Sequence, residues 1–465
     1  MPIVGAFMVP HPPLIIPEVG RGGEQQIQET TASYEKIADM IAQLSPQTIV
    51  IISPHATMYA DYFHVSPGNA ATGSFANFGA AGVRFLEAYD MELVKEIESI
   101  ARKEFFPAGT LGEVDRELDH GTMVPLWFIR KKYKAGNIVR IGLSSLSYAD
   151  HYKLGQIIQT AVDKLKRKVV IVASGDLSHK LQSYGPYGYA AEGPVYDQRI
   201  MDVCSRAAFG ELFNFDEDFC ERAAECGHRS FVIMAGCLDG LKVSATKFSH
   251  QDVTGVGYGI CSFIPGEKDS RRHFLKAYYK ELEKDMEREL EKLCERKDPY
   301  VRLAYRSVIS YIMKGKKLEL PKDVTSEMLN IRAGAFVSIH KNGKLRGCIG
   351  TIGPTMDNVA LEIIENAISA STRDPRFSPI KPEELLSLEI NVDVLGRPQD
   401  ITSMDELDVK RYGVIVTSGH KRGLLLPDLE GVDTVEEQVG IAMQKGGISS
   451  DDEIKLQRFE VIRHV

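Results

Sequence analysis

Four short runs in the amino-terminal half of the chain are apolar at almost every position: PIVGAFMV (2–9), TIVIISP (48–54), NIVRIGLSS (137–145) and KVVIVASGD (168–176). An alternating strand can leave one face in water, whereas a continuous apolar run must be covered on both faces. Stretches of helical character at 24–44, 90–104, 150–166 and 194–209 intervene. Strand and helix in alternation predict an α/β domain with a mostly parallel or mixed sheet and helices on both faces. A further strand-like run, GVGYGICSFI (255–264), follows.

After residue 266 the composition changes. GEKDSRRHFLKAYYKELEKDMERELEKLCERKDP (266–299) is dense in both charge signs and in strong helix formers. Phe274, Leu275, Tyr278, Tyr279 and Leu282 supply a buried face at helical spacing. We read it as a helical junction opening a second domain, which divides the 465 residues into 1–268 and 269–465. No internal repeat of solenoid period occurs. The second domain reads as α+β. AGAFVSIHKNGKLRGCIG (333–350) predicts a hairpin turning on Asn342 and Gly343, both tolerant of positive φ. A helix over 358–371, strands at LEINVDVLG and YGVIVTSG, and a helix over 434–445 complete it.

Composition removes several classes of function. Lys and Arg total 56 against 64 Asp and Glu, a net charge of −8, which is not the balance of a nucleic-acid surface. Seven cysteines without a CxxC pair predict free thiols in a reducing cytoplasm. The amino terminus lacks a basic start, is broken by prolines and reads as a strand rather than a leader. No apolar run approaches the roughly 18 residues of a membrane span.

The histidines carry the chemistry. His11 follows the first apolar run, His55 the second, and His179 lies just beyond the fourth. Carboxyl ends of parallel strands gather on one rim, where such folds bind ligands, so these imidazoles can meet in one cleft. Two imidazoles and one anion form the facial arrangement of non-haem Fe(II) sites. The segment RAAECGHRSFVIMAG (222–236) offers that anion as Glu225 or Cys226. A carboxylate suits Fe(II), Mn or Mg, and a thiolate shifts preference toward softer metals. His228 reads as an exposed helix-start residue, and Cys204 and Cys220 as packing residues. Asp176, three residues before His179, is placed to orient it or, as the favoured reading, to cap a following helix.

PHPP (10–13), SPH (53–55), DHGTMVPL (119–126), SGDLSH (174–179) and ECGHRS (225–230), in that order, resemble the class III extradiol dioxygenase superfamily, and more closely its Memo branch. The resemblance covers about residues 1–265. It implies a metal held by His11 and His55 with a third ligand from the ECG segment: a glutamate in ring-cleaving members, a cysteine in Memo-type proteins, matched here by Cys226. It also gives His179 the place of the base that takes a proton from a catechol-like hydroxyl, with His120 as a second proton donor or substrate contact. An imidazole suits that task at neutral pH.

KLRGCIGT (344–351) and DPRFSPI (374–380) are the compact motifs of the second domain. Gly347 and Gly350 bracket Cys348 and allow close backbone approach, and Arg346 is a candidate for an anionic ligand. Asp374 and Pro375 read as a turn, with Arg376 as a clamp on it. With SGHKRGLLLPDL (418–429) and AMQKGGI (442–448), these motifs resemble the AMMECR-type domain over about 270–465. A Memo-like domain followed by an AMMECR-type domain resembles the fused members of the AmmeMemoRadiSam system, which implies a radical SAM protein as functional partner.

The resulting expectation is a metal-dependent enzyme, with Fe(II) first and Zn, Mn or Cu as alternatives, acting on a small aromatic or hydroxylated substrate. Oxidative ring cleavage leads. The rivals are a non-oxidative metal-dependent hydrolase or C–C lyase, a non-catalytic metal- or substrate-binding scaffold, and thiol chemistry at Cys348. A homo-oligomer is compatible with all of them.

Overall fold

The computed structural model describes residues 2–114, 117–295, 297–429 and 431–465. The chain forms two compact units, Met1–Glu281 and Leu282–Val465. This division falls inside the helix Phe274–Glu295 rather than at 268/269. Phe274, Leu275 and Tyr278 pack with the first core, whereas Leu290 and Cys294 belong to the second. Tyr279 and Leu282, expected on the buried face, are exposed.

In the first unit, six strands lie in the order Asn137–Ile141, Thr48–Ile52, Val169–Ser174, Ile3–Val9, Tyr258–Lys268, Leu241–Gln251. The first four are mutually parallel and Tyr258–Lys268 runs antiparallel to both of its neighbours, so the sheet is mixed. Alternate residues of the apolar runs enter different cores: Ala6, Met8, Val50, Ile52, Ile171 and Ala173 on one face, Phe7, Val9, Ile49, Ile51, Val170 and Val172 on the other. Helices therefore cover both faces, as continuous apolar strands require. Each Val, Ile, Phe or Met among them, fully buried, contributes about 1.5–3 kcal/mol against exposure.

Three elements lie outside the expected pattern. The edge strand Leu241–Gln251 alternates between exposed and half-buried residues, which hides it from a search for apolar runs. Helix His120–Lys132 holds Pro125 in its interior, a residue that ordinarily argues against a helix. Helix His228–Cys237 is buried at nearly every position and lacks an amphipathic signature.

The second unit is α+β. Its antiparallel sheet runs Lys344–Gly350, Ala335–Lys341, Leu388–Leu395, Lys455–His464, Tyr412–Ser418, Lys421–Leu425, with Gln399–Ile401 paired to Lys455–His464. Asn342 (φ 52°) and Gly343 (φ 73°) both occupy the left-handed region, the two-residue turn that suits a hairpin's twist. Helices Pro299–Lys314 and Val359–Thr372 share one core with this sheet, and Val435–Gly446 packs in another. Among the described residues, no helix is long and apolar enough to cross a membrane.

Candidate metal centre

Strand Val169–Ser174 lies between Thr48–Ile52 and Ile3–Val9, all three parallel. The residues just past their carboxyl ends therefore share one rim. His11 is buried there and His55 is exposed, with their Nε2 atoms 3.0 Å apart. The Cys226 sulfur lies 3.6 Å from His11 Nε2. One ligand atom from each of His11, His55 and Cys226 falls within 4.8 Å of the others.

Cys226 arrives by a backbone contact. A Cβ on Gly175 would sit 2.1 Å from the Cα of Gly227, so only glycine against glycine lets the two segments touch. That contact sets Cys226 against the end of strand Val169–Ser174, where its N–H donates to the Asp176 carbonyl at 3.4 Å. The neighbouring Glu225 is engaged elsewhere. Its carboxylate accepts the His228 N–H at 2.6 Å and the Tyr196 hydroxyl at 3.5 Å, and burial pushes its carboxyl up to about 7.

The imidazoles are prepared as neutral bases. Burial, then the neighbouring His55 and His120 rings, drives His11 well below the ordinary histidine range. His120 is brought to about 4 by burial and then by His55, whose ring centre lies 4.0 Å away. His55 is lowered chiefly by desolvation. Burial, with Asp176 and Glu225 nearby, pushes the Cys226 thiol well up.

His179 stands half-buried on the same rim. Its Nδ1 meets the Ala224 carbonyl, which accepts only if Nδ1 carries the proton, and its ring is edge-on to Tyr187 with centres 5.1 Å apart. Asp176 is not a helix cap: residues 175–180 contain no helix, and the next α-helix begins at Glu192. Its carboxylate instead accepts the His11 backbone N–H at 2.7 Å. His228 starts a helix as expected but is fully buried, not exposed. Its Nε2–H donates to the Leu212 carbonyl at 3.0 Å, and burial lowers it to about 3.

Several residues not singled out from the sequence hold this site. The Ser174 hydroxyl contacts His11 Nδ1 at 3.0 Å and the Gly121 carbonyl at 2.6 Å. The Ser53 hydroxyl accepts the His55 N–H at 3.2 Å and donates to Asp119 at 2.5 Å. Asp119 in turn caps the helix that starts at His120, accepting from Thr122 N–H at 2.9 Å. Burial alone would raise the Asp119 carboxyl, but the Ser53 hydrogen bond, the Arg140 charge and the Thr122 bonds outweigh it and hold it low. Arg140, fully buried in an apolar strand, lies 3.5 Å from Asp119. A cation in NIVRI was the available signal, because such a charge must find a partner. A cleft of about 590 Å³ opens beside His120, bounded by Phe78, Arg84 and Phe85 of a surface hairpin and by Met123. That volume suits a small organic molecule.

In the second unit the expected anion binder is already occupied. The Arg346 guanidinium donates to both Glu384 carboxylate oxygens, at 3.0 and 3.1 Å, and to the Ser378 carbonyl at 2.7 Å. Arg346 accordingly pulls Glu384 down to about 2. Gly347 permits a close crossing, since a Cβ there would lie 2.1 Å from the Ala370 carbonyl oxygen. The Cys348 N–H donates to Asp374 at 2.9 Å and its sulfur accepts from the Ser338 hydroxyl at 3.3 Å. Arg376 clamps Asp374 at 2.7 Å.

Residues 5–261 match the family described as the catalytic LigB subunit of aromatic ring-opening dioxygenase, and residues 301–464 match the AMMECR1 family. A Clostridium acetobutylicum protein is 42% identical over all of this chain and 99% of its own length. A Thermotoga maritima protein is 52% identical over 36% of this chain and 97% of its own. The crystal structure of an uncharacterised Pyrococcus horikoshii protein is 33% identical, covering 35% of this chain and 88% of that one, with a TM-score of 0.33.

Proposed function

Since the chain belongs to the family of the catalytic LigB subunit of aromatic ring-opening dioxygenases, joined to an AMMECR1 domain, we propose that its first unit is a metal-dependent enzyme acting on a small aromatic or hydroxylated substrate. The convergence of two imidazole Nε2 atoms and a thiol sulfur beside a cleft carries this reading. The donor set fits a cation. Separations of 3.0 and 3.6 Å suit atoms that share one coordination shell with bonds of about 2.0–2.3 Å. The imidazoles are already neutral, as ligation requires.

His11, His55 and Cys226 would hold the metal, with Fe(II) as the first choice. If bound, the ion would supply Lewis acidity that lowers the pKa of a substrate hydroxyl and, as Fe(II), a redox-active centre through which electrons pass from the substrate to dioxygen, the oxidant. His179 keeps Nδ1–H on the Ala224 carbonyl and so presents Nε2 as the base that takes the hydroxyl proton. His120, neutral and next to His55, lines the cleft and contacts the substrate or relays the proton. Asp176 fixes His11 through its backbone N–H. The second unit places an AMMECR1 domain on the same chain, and linkage raises its effective concentration at the cleft. A radical SAM protein is the proposed functional partner.

One observation favours a second reading. The group beside the imidazoles is a thiol, not the Glu225 carboxylate, which suits softer metals such as Zn and a non-oxidative hydrolase or C–C lyase. Anaerobic purification with metal analysis tests the common part: stoichiometric metal lost in both His11→Ala and His55→Ala supports the site, and unchanged content in both removes it. Turnover of a catechol panel with and without oxygen then separates ring cleavage from non-oxidative chemistry.

A further inference from the structure

The interior proline of helix His120–Lys132 has a consequence at the metal centre, where Ser174 meets His11 across 163 residues of chain. In a helix, the N–H of residue 125 would bond the carbonyl of Gly121. Pro125 has no N–H, so that carbonyl is left without its helical partner. Gly121 is buried, and a buried carbonyl without a donor is costly. The Ser174 hydroxyl takes the missing donor's place at 2.6 Å.

A serine hydroxyl has one proton. With that proton on the Gly121 carbonyl, Ser174 offers only lone pairs to His11 Nδ1, 3.0 Å away. Ser174 and His11 are both buried, so water does not supply an alternative partner. Nδ1 must then be the protonated nitrogen, and Nε2 carries the lone pair that faces His55 and Cys226.

We propose that Ser174 is a positioning residue that locks His11 in its Nδ1–H tautomer, and that Pro125 makes this possible by freeing the Gly121 carbonyl. The link to metal binding rests on the metal-centre reading above; the tautomer itself does not. Outer hydrogen bonds of this kind fix a ligand's ring and raise its basicity, and their loss costs about 10–100-fold in metal affinity.

The test uses the full chain in two states. In the metal-free protein, ¹⁵N NMR of the His11 ring should show protonated Nδ1 in the native chain and in Ser174→Thr, which keeps the hydroxyl. It should show a mixed or Nε2–H ring in Ser174→Ala. Pro125→Ala, which returns an N–H to the Gly121 carbonyl, should shift the ring in the same direction to a smaller extent. With Zn(II) or Fe(II) added, Ser174→Ala should bind about 10–100-fold more weakly and Ser174→Thr within a few-fold of native. Trp127 emission checks that each variant is folded. An Nε2–H ring in the native metal-free protein, or a Ser174→Ala protein with unchanged tautomer, overturns the proposal. A native chain that takes up neither metal, while Ser174→Ala still changes the tautomer, overturns the metal reading and leaves the Ser174 relay standing.

Discussion

The two units carry motifs of similar density that end in opposite states. At the strand-end rim of the first, the Nε2 atoms of His11 and His55 and the Cys226 sulfur turn toward one another, while Ser174, Ser53 and Asp176 hold the two histidines from behind. In the second, Arg346, Asp374 and Arg376 direct their charges to Glu384, to each other and to nearby backbone groups. The first arrangement leaves donor capacity open at one point. The second consumes it in joining a hairpin, a helix end and a loop. A motif shows which residues matter, and the pairing of their polar atoms separates ligand binding from architecture.

The contrast breaks first at the ligands. His11→Ala and His55→Ala should each reduce bound metal to background, whereas Arg346→Ala should leave metal content unchanged; elemental analysis of the anaerobic proteins reads both. Metal loss in Arg346→Ala would erase the distinction. The converse change is Asp374→Ala, which strands the Cys348 N–H beside a buried carboxylate position and should destabilise the second unit by about 2–3 kcal/mol in urea, with metal content preserved.

Acid should also separate the units. His151 and His228 are both lowered to about 3, mainly by burial, from an ordinary value near 6.5. Below that value the unfolded chain binds protons that the folded chain refuses, so their contribution is complete above about 6.5 and lost as pH falls toward 3. Glu225, raised to about 7, acts oppositely: its contribution is complete below about 4.5 and lost as pH rises through 7. In the second unit, Glu384 at about 2 favours folding above the ordinary carboxylate range and loses that effect only as pH falls toward 2. On acidification the first unit should therefore lose structure first. Trp127, the single tryptophan, reports on it alone, and hydrogen exchange in strands Tyr412–Ser418 and Leu388–Leu395 follows the other. The smallest expected effect is Ser53→Ala, which frees the His55 N–H and should weaken metal binding about 10-fold, measured by chelator competition.

The apolar runs made the parallel strands legible, because burial on both faces leaves almost no polar residue in them. The rim followed from the rule for strand ends. What remained open in the sequence depends on contacts between distant segments. Glu225 and Cys226 are chain neighbours with opposite surroundings, and the Gly175–Gly227 approach decides which one meets the imidazoles. The favoured capping role for Asp176 failed because no helix follows, a property of the whole loop and not of its first residues. Arg346 looked available because its partner, Glu384, lies 38 residues away in a 3₁₀ turn. His228 looked exposed because the Leu212 carbonyl that accepts from it sits in a separate segment.

The position of strand Val169–Ser174 between two earlier strands also governs when the donors can assemble. His11 and His55 are 44 residues apart, but Cys226 follows His11 by 215. During synthesis the imidazoles emerge early, yet the strand that separates and aligns their own strands is made more than a hundred residues later. Closing such long loops is slow and costly in entropy. A nascent chain therefore lacks the thiol and the aligned rim together, so on the proposed assignment a metal would be captured only late, once the sheet is complete.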